Sequence, residues 1–287
     1  MGRMPEDRLE PGESLAYGRI TDLGVEVGAC VGSEERRPWA SVSKLVASLG
    51  VHIAIEDGSW LRQSTLGDFA LAVEELLSHC SGLATGALGE KRLAEPEHVE
   101  PSLARRSRRV YSNIGYELLG RGLESISSMR YRDYILEAVL APAGMTGVRF
   151  ARDLEVTGAA FGLEGTLDDL VGLVRALSFP SIVSSESLTA LRAPFLPGIA
   201  GILPGFGYQD PNPWGLGAEV RGRKSPHWMG DLVSEASFGH FGQSGSFLWI
   251  DPIQQCFAVF LGSRPFGPWA KERWPVINDE VVRALAS

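Results

Sequence analysis

Two apolar runs near the end of the chain constrain the fold more than any other feature. Phe247-Leu-Trp-Ile-Asp251 and Cys256-Phe-Ala-Val-Phe-Leu-Gly262 are rich in aromatic and branched side chains and are bounded by turns. Such short runs read as buried strands. The other strand-like pieces lie at the opposite end, where Gly24-Val-Glu-Val-Gly-Ala-Cys-Val-Gly32 falls within residues 15–40. Between them the chain reads as helix and loop. The order predicts an α/β (α+β) fold. One sheet is built from both chain ends, with a mostly helical lobe inserted. We expect a flexible N-terminus over 1–14, a sheet lobe over 15–58 and 218–287, a helical lobe over 59–217, and a site between the lobes.

Helical spacing carries the middle. Val42, Leu45, Val46, Leu49 and Ile53 recur on one face of a helix over 41–55. Further helices are predicted over 66–77 (Ser64 or Thr65 as cap), 113–126, 131–140, 166–177 (capped by Thr166), 186–191 and 270–286. The stretches 81–110 and 194–217 are rich in glycine, proline or charge and read as loops.

Composition narrows the partners. The 287 residues carry 27 cationic and 35 anionic side chains, a net charge of −8. That balance argues against nucleic acid, which needs a basic footprint. The opening MGRMPEDRLEPGES has no apolar core, so no signal peptide is expected. No run reaches the ~20 apolar residues of a membrane span. Three scattered cysteines suggest reduced thiols. The expectation is a cytoplasmic protein with no membrane partner. No Cys/His cluster suggests a metal and no glycine-rich loop a nucleotide, so no cofactor is expected. The sequence carries no signal for oligomeric state.

Only four of the 27 cations are lysines, and one stands in Ser41-Val-Ser-Lys44. One helical turn separates Ser41 from Lys44, so both point the same way. A serine hydroxyl needs a neighbouring base, and a lysine amine serves if a dry site lowers its pKa. With 27 serines in the chain, roughly 0.4 such pairs arise by chance, so alone the motif reads equally as a helix cap and a solvated lysine. Two later pieces add weight. Tyr111-Ser-Asn113 offers a phenol that can shuttle a proton and an amide that can hold a carbonyl. Taken singly these are a core tyrosine and a helix cap. Phe238-Gly-His240-Phe-Gly242-Gln243 pairs a histidine with glycines that let a substrate approach a strand edge. A lone histidine there would be structural.

Ser41-x-x-Lys44, Tyr111-x-Asn113 and His240-x-Gly242, in that order, resemble the three motifs of the serine β-lactamase-related family. That family includes class C β-lactamases, D-alanyl-D-alanine carboxypeptidases and family VIII esterases. Leu76-Leu-Ser-His-Cys-Ser-Gly-Leu83 and Gly242-Gln-Ser-Gly-Ser-Phe-Leu-Trp-Ile-Asp-Pro252 also match its pattern. The resemblance extends from about residue 25 to the end. It implies a β-lactamase/transpeptidase-like fold, with an antiparallel sheet flanked by helices, and an acyl-enzyme at Ser41. Lys44 would accept the proton, and Tyr111 would share that role and protonate the leaving group. Asn113 would bind the acyl side chain, His240 would line the substrate site, and the N–H groups of Ser41 and Gln243 would form the oxyanion hole. Which of Lys44 and Tyr111 is the base stays open.

One departure matters. β-Lactamases usually carry Lys-Thr-Gly in the third motif, where a cation meets the substrate carboxylate; here it is His240-Phe241-Gly242. Histidine is at best partly charged at pH 7, and Phe241 has no hydroxyl. The resemblance therefore implies a serine hydrolase of a small ester or amide. The alternatives are acyl transfer from the same intermediate, weak β-lactamase or D-aminoacyl carboxypeptidase activity, and a non-catalytic penicillin-binding-like module. Arg105-Arg-Ser-Arg-Arg109 reads as a solvated loop, His79 as a structural hydrogen-bonding residue, and Trp214 as packing near the expected cleft rim.

Overall fold

Both chain ends supply the sheet, as their apolar runs require. A computed structural model describes residues 4–87, 91–152 and 154–286. Six strands, β1 (Ser14–Thr21), β2 (Gly24–Val31), β3 (Glu219–Val220), β4 (Phe238–Phe241), β5 (Phe247–Asp251) and β6 (Cys256–Leu261), lie in the order β3-β4-β5-β6-β1-β2. Neighbours are antiparallel throughout. The register sets His240 opposite Leu248 and Tyr17 opposite Ala258.

Every residue of β4, β5 and β6 is buried. Successive side chains of a strand point to opposite faces. Leu248, Ile250, Phe257 and Val259 join the core formed with the helices of the middle segment. Phe247, Trp249, Ala258 and Phe260 face the other way, onto Trp274, Ile277 and Val281 of the C-terminal helix. Both faces are covered, so these runs do not alternate with polar residues.

Four long helices matter here: α1 (Ser43–Glu56), α2 (Asn113–Ser127), α3 (Leu167–Ser178) and α4 (Pro268–Ala286). Helix α1 is buried on nearly all sides and enters from a 3-10 turn over Ala40–Val42. Helix α2 is capped by Ser112, whose Oγ accepts the Gly115 N–H at 3.1 Å. Thr166 caps α3, and the Asp169 carboxylate returns a bond to the Thr166 N–H.

Several local expectations are corrected. The helix predicted over 66–77 survives only as Val73–Leu77; Thr65–Leu66 pairs with Leu71–Ala72, because Gly67 and Ala70 turn the chain at positive φ. Residues 194–217 are not all loop: Gly201–Leu203 pairs with Gly207–Gln209 and runs parallel to Arg109–Val110. The 131–140 helix widens partway, α-helical over Tyr131–Ile135 and π-helical over Leu136–Leu140. The N-terminus expected to be flexible is docked from residue 4 onward, residues 1–3 lying outside the described chain. Pro5–Arg8 form a 3-10 turn, Arg8 pairs with Glu280, and Glu13 receives Arg273. The charges of this segment are answered by α4. The arginine run is a solvated loop only as far as Arg108: Arg105, Arg106 and Arg108 are exposed, and Arg109 is not. Arg106 pairs with Glu74 and Glu75, and Arg109 is buried, donating to the carbonyls of Ser78, Phe195 and Asn212.

Candidate active site

Ser41 lies in the 3-10 turn that feeds α1 and is half-buried. The residue before it, Ala40, has φ +47°, a left-handed conformation unusual for an L side chain. The end of β4 presses on this turn. A Cβ on Gly242 would sit 2.2 Å from the Trp39 carbonyl oxygen and 3.1 Å from the Ala40 Cβ. Glycine at that position thus lets the third motif abut the turn carrying Ser41.

A cavity of about 520 Å³ opens at this junction, and Ser41, Tyr111, Asn113, His240 and Gln243 all line it. Residues from all three motifs, far apart in sequence, meet there. Trp214, Glu219 and the segment 84–87 complete much of the wall. Gly242, expected with the substrate-binding residues, is not part of the lining.

Lys44 is fully buried beside the cavity. Its Nζ donates to Asn113 Oδ1 at 2.7 Å and to the Ala160 carbonyl at 2.7 Å. Asn113 is itself fixed, its Nδ2 donating to the Gly86 carbonyl at 2.8 Å. The amine lies 4.7 Å from the centre of the Tyr111 ring and 5.3 Å from that of Tyr116. Burial drives the Lys44 pKa well down, opposed by the negative charge of Glu117. Two of the amine's tetrahedral positions are filled, and the third has no hydrogen-bond partner among the described residues. A neutral amine in that frame keeps a lone pair for a proton.

Tyr111 goes the other way. Burial raises its pKa, while the nearby Ser41 hydroxyl pulls it down. Its oxygen makes no well-formed hydrogen bond among the described residues. The imidazole of His79 supports the ring at 4.5 Å, and His79 Nδ1 accepts the Ser112 N–H at 3.0 Å, the structural role expected of it.

His240 Nδ1 lies 2.6 Å from the Phe241 carbonyl oxygen, so that nitrogen carries the proton. Burial drops the His240 pKa to about 3, helped by the charge of Lys44. This histidine is neutral at pH 7. Phe241 packs against Phe266 at 4.9 Å and Trp274 at 5.8 Å.

Two clusters escaped the sequence reading. Glu117, one turn beyond Asn113 on α2, accepts from Thr157 Oγ at 2.6 Å and from the N–H groups of Gly158 and Ala160 at 3.2 and 3.0 Å. Glu219 accepts from Lys224 at 2.6 Å, His227 at 2.7 Å and Trp228 Nε1 at 2.8 Å, all buried. Burial alone would raise the Glu219 carboxyl, but Lys224 and His227 hold it well below the usual range. No spacing signalled either cluster. Trp214, read as packing near a rim, is a wall residue of the cavity.

A family model described as Beta-lactamase matches residues 16–281. The chain belongs to the beta-lactamase family. The resemblance read from its motifs and the β-lactamase/transpeptidase-like fold are both borne out. A beta-lactamase from Mycobacterium bovis has 34% identity and a TM-score of 0.86, with 96% of each chain covered. A mutant simvastatin synthase from Aspergillus terreus shares the fold at 13% identity and a TM-score of 0.73, covering 98% of this chain and 94% of its own. A provisionally named D-alanyl-D-alanine carboxypeptidase of Salmonella gallinarum is 26% identical over 220 residues, 61% of this chain and 49% of its own. One from Escherichia coli O157:H7 is 26% identical over 208 residues, 57% of this chain and 47% of its own. The chain thus spans about half the length of the curated relatives it matches. Among the described residues no helix is long and apolar enough to cross a membrane. Within the beta-lactamase family frame, this member carries a neutral imidazole at the third motif.

Proposed function

We propose that the protein is a serine acyl hydrolase that forms an acyl-enzyme at Ser41 on a small ester or amide. The carrying observation is the convergence of Ser41, Tyr111, Asn113, His240 and Gln243 on one cavity, with a buried, pKa-lowered Lys44 bonded to Asn113. In this reading Ser41 Oγ attacks the substrate carbonyl carbon. Its proton passes to Lys44, whose neutral amine burial favours while it disfavours the Tyr111 phenolate; the group beside the Ser41 hydroxyl is Tyr111. The oxyanion is received by the N–H groups of Ser41 and Gln243, which have no acceptor among the described residues. The carbon–leaving-group bond then breaks, with the leaving group taking a proton through Tyr111. Water next attacks the acyl carbon, giving up a proton to the same base, and Ser41 is released.

A neutral His240 and an apolar Phe241 supply no cation for a substrate carboxylate. At the third motif that favours neutral esters or amides, while Arg92 is the cation on the cavity wall that a substrate carboxylate would meet. Acyl transfer is the second reading. A largely apolar cavity of about 520 Å³ holds an acyl group and an acceptor together. The similarly folded simvastatin synthase is by its name a synthetic enzyme.

The test is intact-protein mass spectrometry after a short p-nitrophenyl ester, a fluorophosphonate and a penicillin. We expect an adduct on the wild type that disappears in Ser41→Ala, with ester turnover exceeding penicillin turnover. Unchanged ester turnover in Ser41→Ala would sink the assignment. No adduct with any probe would favour the non-catalytic module.

A further inference from the structure

A buried carboxylate with three donors and no ion-pair contact is expensive to keep. Glu117 is fully buried, and burial raises its carboxyl pKa, but every contact at its oxygens is a donor that opposes the rise: Thr157 Oγ, the Gly158 N–H and the Ala160 N–H. Ala160 is the hinge of the arrangement. Its N–H goes to Glu117 and its carbonyl receives Lys44 Nζ at 2.7 Å. Asn113, the other acceptor of Lys44, lies four residues before Glu117 on the same face of α2. The turn fits tightly on this helix, since a Cβ on Gly120 would meet Thr157 Oγ at 2.4 Å.

The surroundings of Lys44 are otherwise uncharged. The rings of Tyr111 and Tyr116 lie against it, both held as phenols by burial. His79 and His240 sense its charge and are held neutral by burial. Among the described residues Glu117 is the anion whose field acts on Lys44. A purely structural anchor for the 157–160 turn would not need that charge, since an amide of the same shape could accept most of the same bonds.

We propose that Glu117 is a positioning residue for Lys44: its carboxylate pins the Thr157–Ala160 turn that receives the amine, and its charge sets the balance between ammonium and amine. The inference rests on the reading of Ser41 and Lys44 as nucleophile and base. Without the charge, the lysine would give up its proton more readily but would attract the serine proton less.

The experiment measures the rate of Ser41 labelling by a fluorophosphonate against pH, by intact mass. It compares the wild type with Glu117→Gln, Glu117→Asp and Thr157→Val. In Glu117→Gln the acid limb moves to lower pH, by about half a unit or more, as loss of a neighbouring opposite charge requires. Glu117→Asp keeps the charge, so its limb stays in place while the maximal rate falls. Thr157→Val removes a donor that keeps the carboxylate ionised, so its limb moves the same way by less. An unmoved or raised limb in folded Glu117→Gln overturns the proposal. If that variant does not fold, an unmoved limb in Thr157→Val overturns it. A wild type that takes no label at Ser41 overturns the catalytic reading and this inference with it. An unmoved limb in a labelled variant overturns this inference alone.

Discussion

Gly242→Ala is the most direct probe of how the sheet aligns the nucleophile. The added Cβ would stand 2.2 Å from the Trp39 carbonyl oxygen, where real Cβ contacts essentially never fall under 3.0 Å. The gap must therefore open by about 0.8 Å. Backbone lies on both sides, so no flexible side chain can swing away. Trp39 is fully buried, Gly242 follows the fully paired β4, and Ala40 already holds φ +47°. The softest element is the Ala40–Val42 turn itself, and Ser41 moves with it. A misplacement near 1 Å costs on the order of 10²-fold in rate when reacting groups must be aligned. Overpacking of this size destabilises by about 1–3 kcal/mol. We expect kcat/KM for a p-nitrophenyl ester to fall about a hundredfold, while the variant stays folded with a modest loss of Tm. Steady-state kinetics beside calorimetry read both. Wild-type kcat/KM at wild-type Tm would show that the contact does not align Ser41, and the reasoning would fail.

Two further outcomes follow from the buried charges. Lys224→Met strips Glu219 of its cation in a fully buried setting and should cost about 3–5 kcal/mol; a Tm within a degree or two of wild type would refute it. Stability should also fall on acidification. His79, His227 and His240 are buried with lowered pKa values, about 4 for His227 and about 3 for His240. Below the unfolded value of about 6.5 the unfolded chain binds protons that the native state refuses, so stability declines as pH drops from there toward 3. Calorimetry at stepped pH should give a falling Tm, with a shallower slope in His240→Gln; equal slopes would exclude His240 as a contributor.

Local chemistry made much of this protein legible before any coordinates. The runs at 247–251 and 256–261 declare buried strands because no polar residue interrupts them. The Thr166 cap, the α1 spacing and the three short motifs are also local signals, each carried within a few residues. Short-range hydrogen bonding and side-chain periodicity suffice to set such features. The misreadings share another cause. Arg109 looks solvated until the carbonyls of Ser78, Phe195 and Asn212 close around it. The N-terminal charges look mobile until α4 meets them. Only the fold brings Glu117 to the turn beneath Lys44, or Lys224 and His227 to Glu219 under the cavity wall. The third motif reads as a histidine partly charged at best; burial and the Phe241 carbonyl decide that it is neutral. Protonation state and ion pairing depend on how much water and which partners surround a group. Those are set by chain segments distant in sequence, so tertiary structure alone decides them.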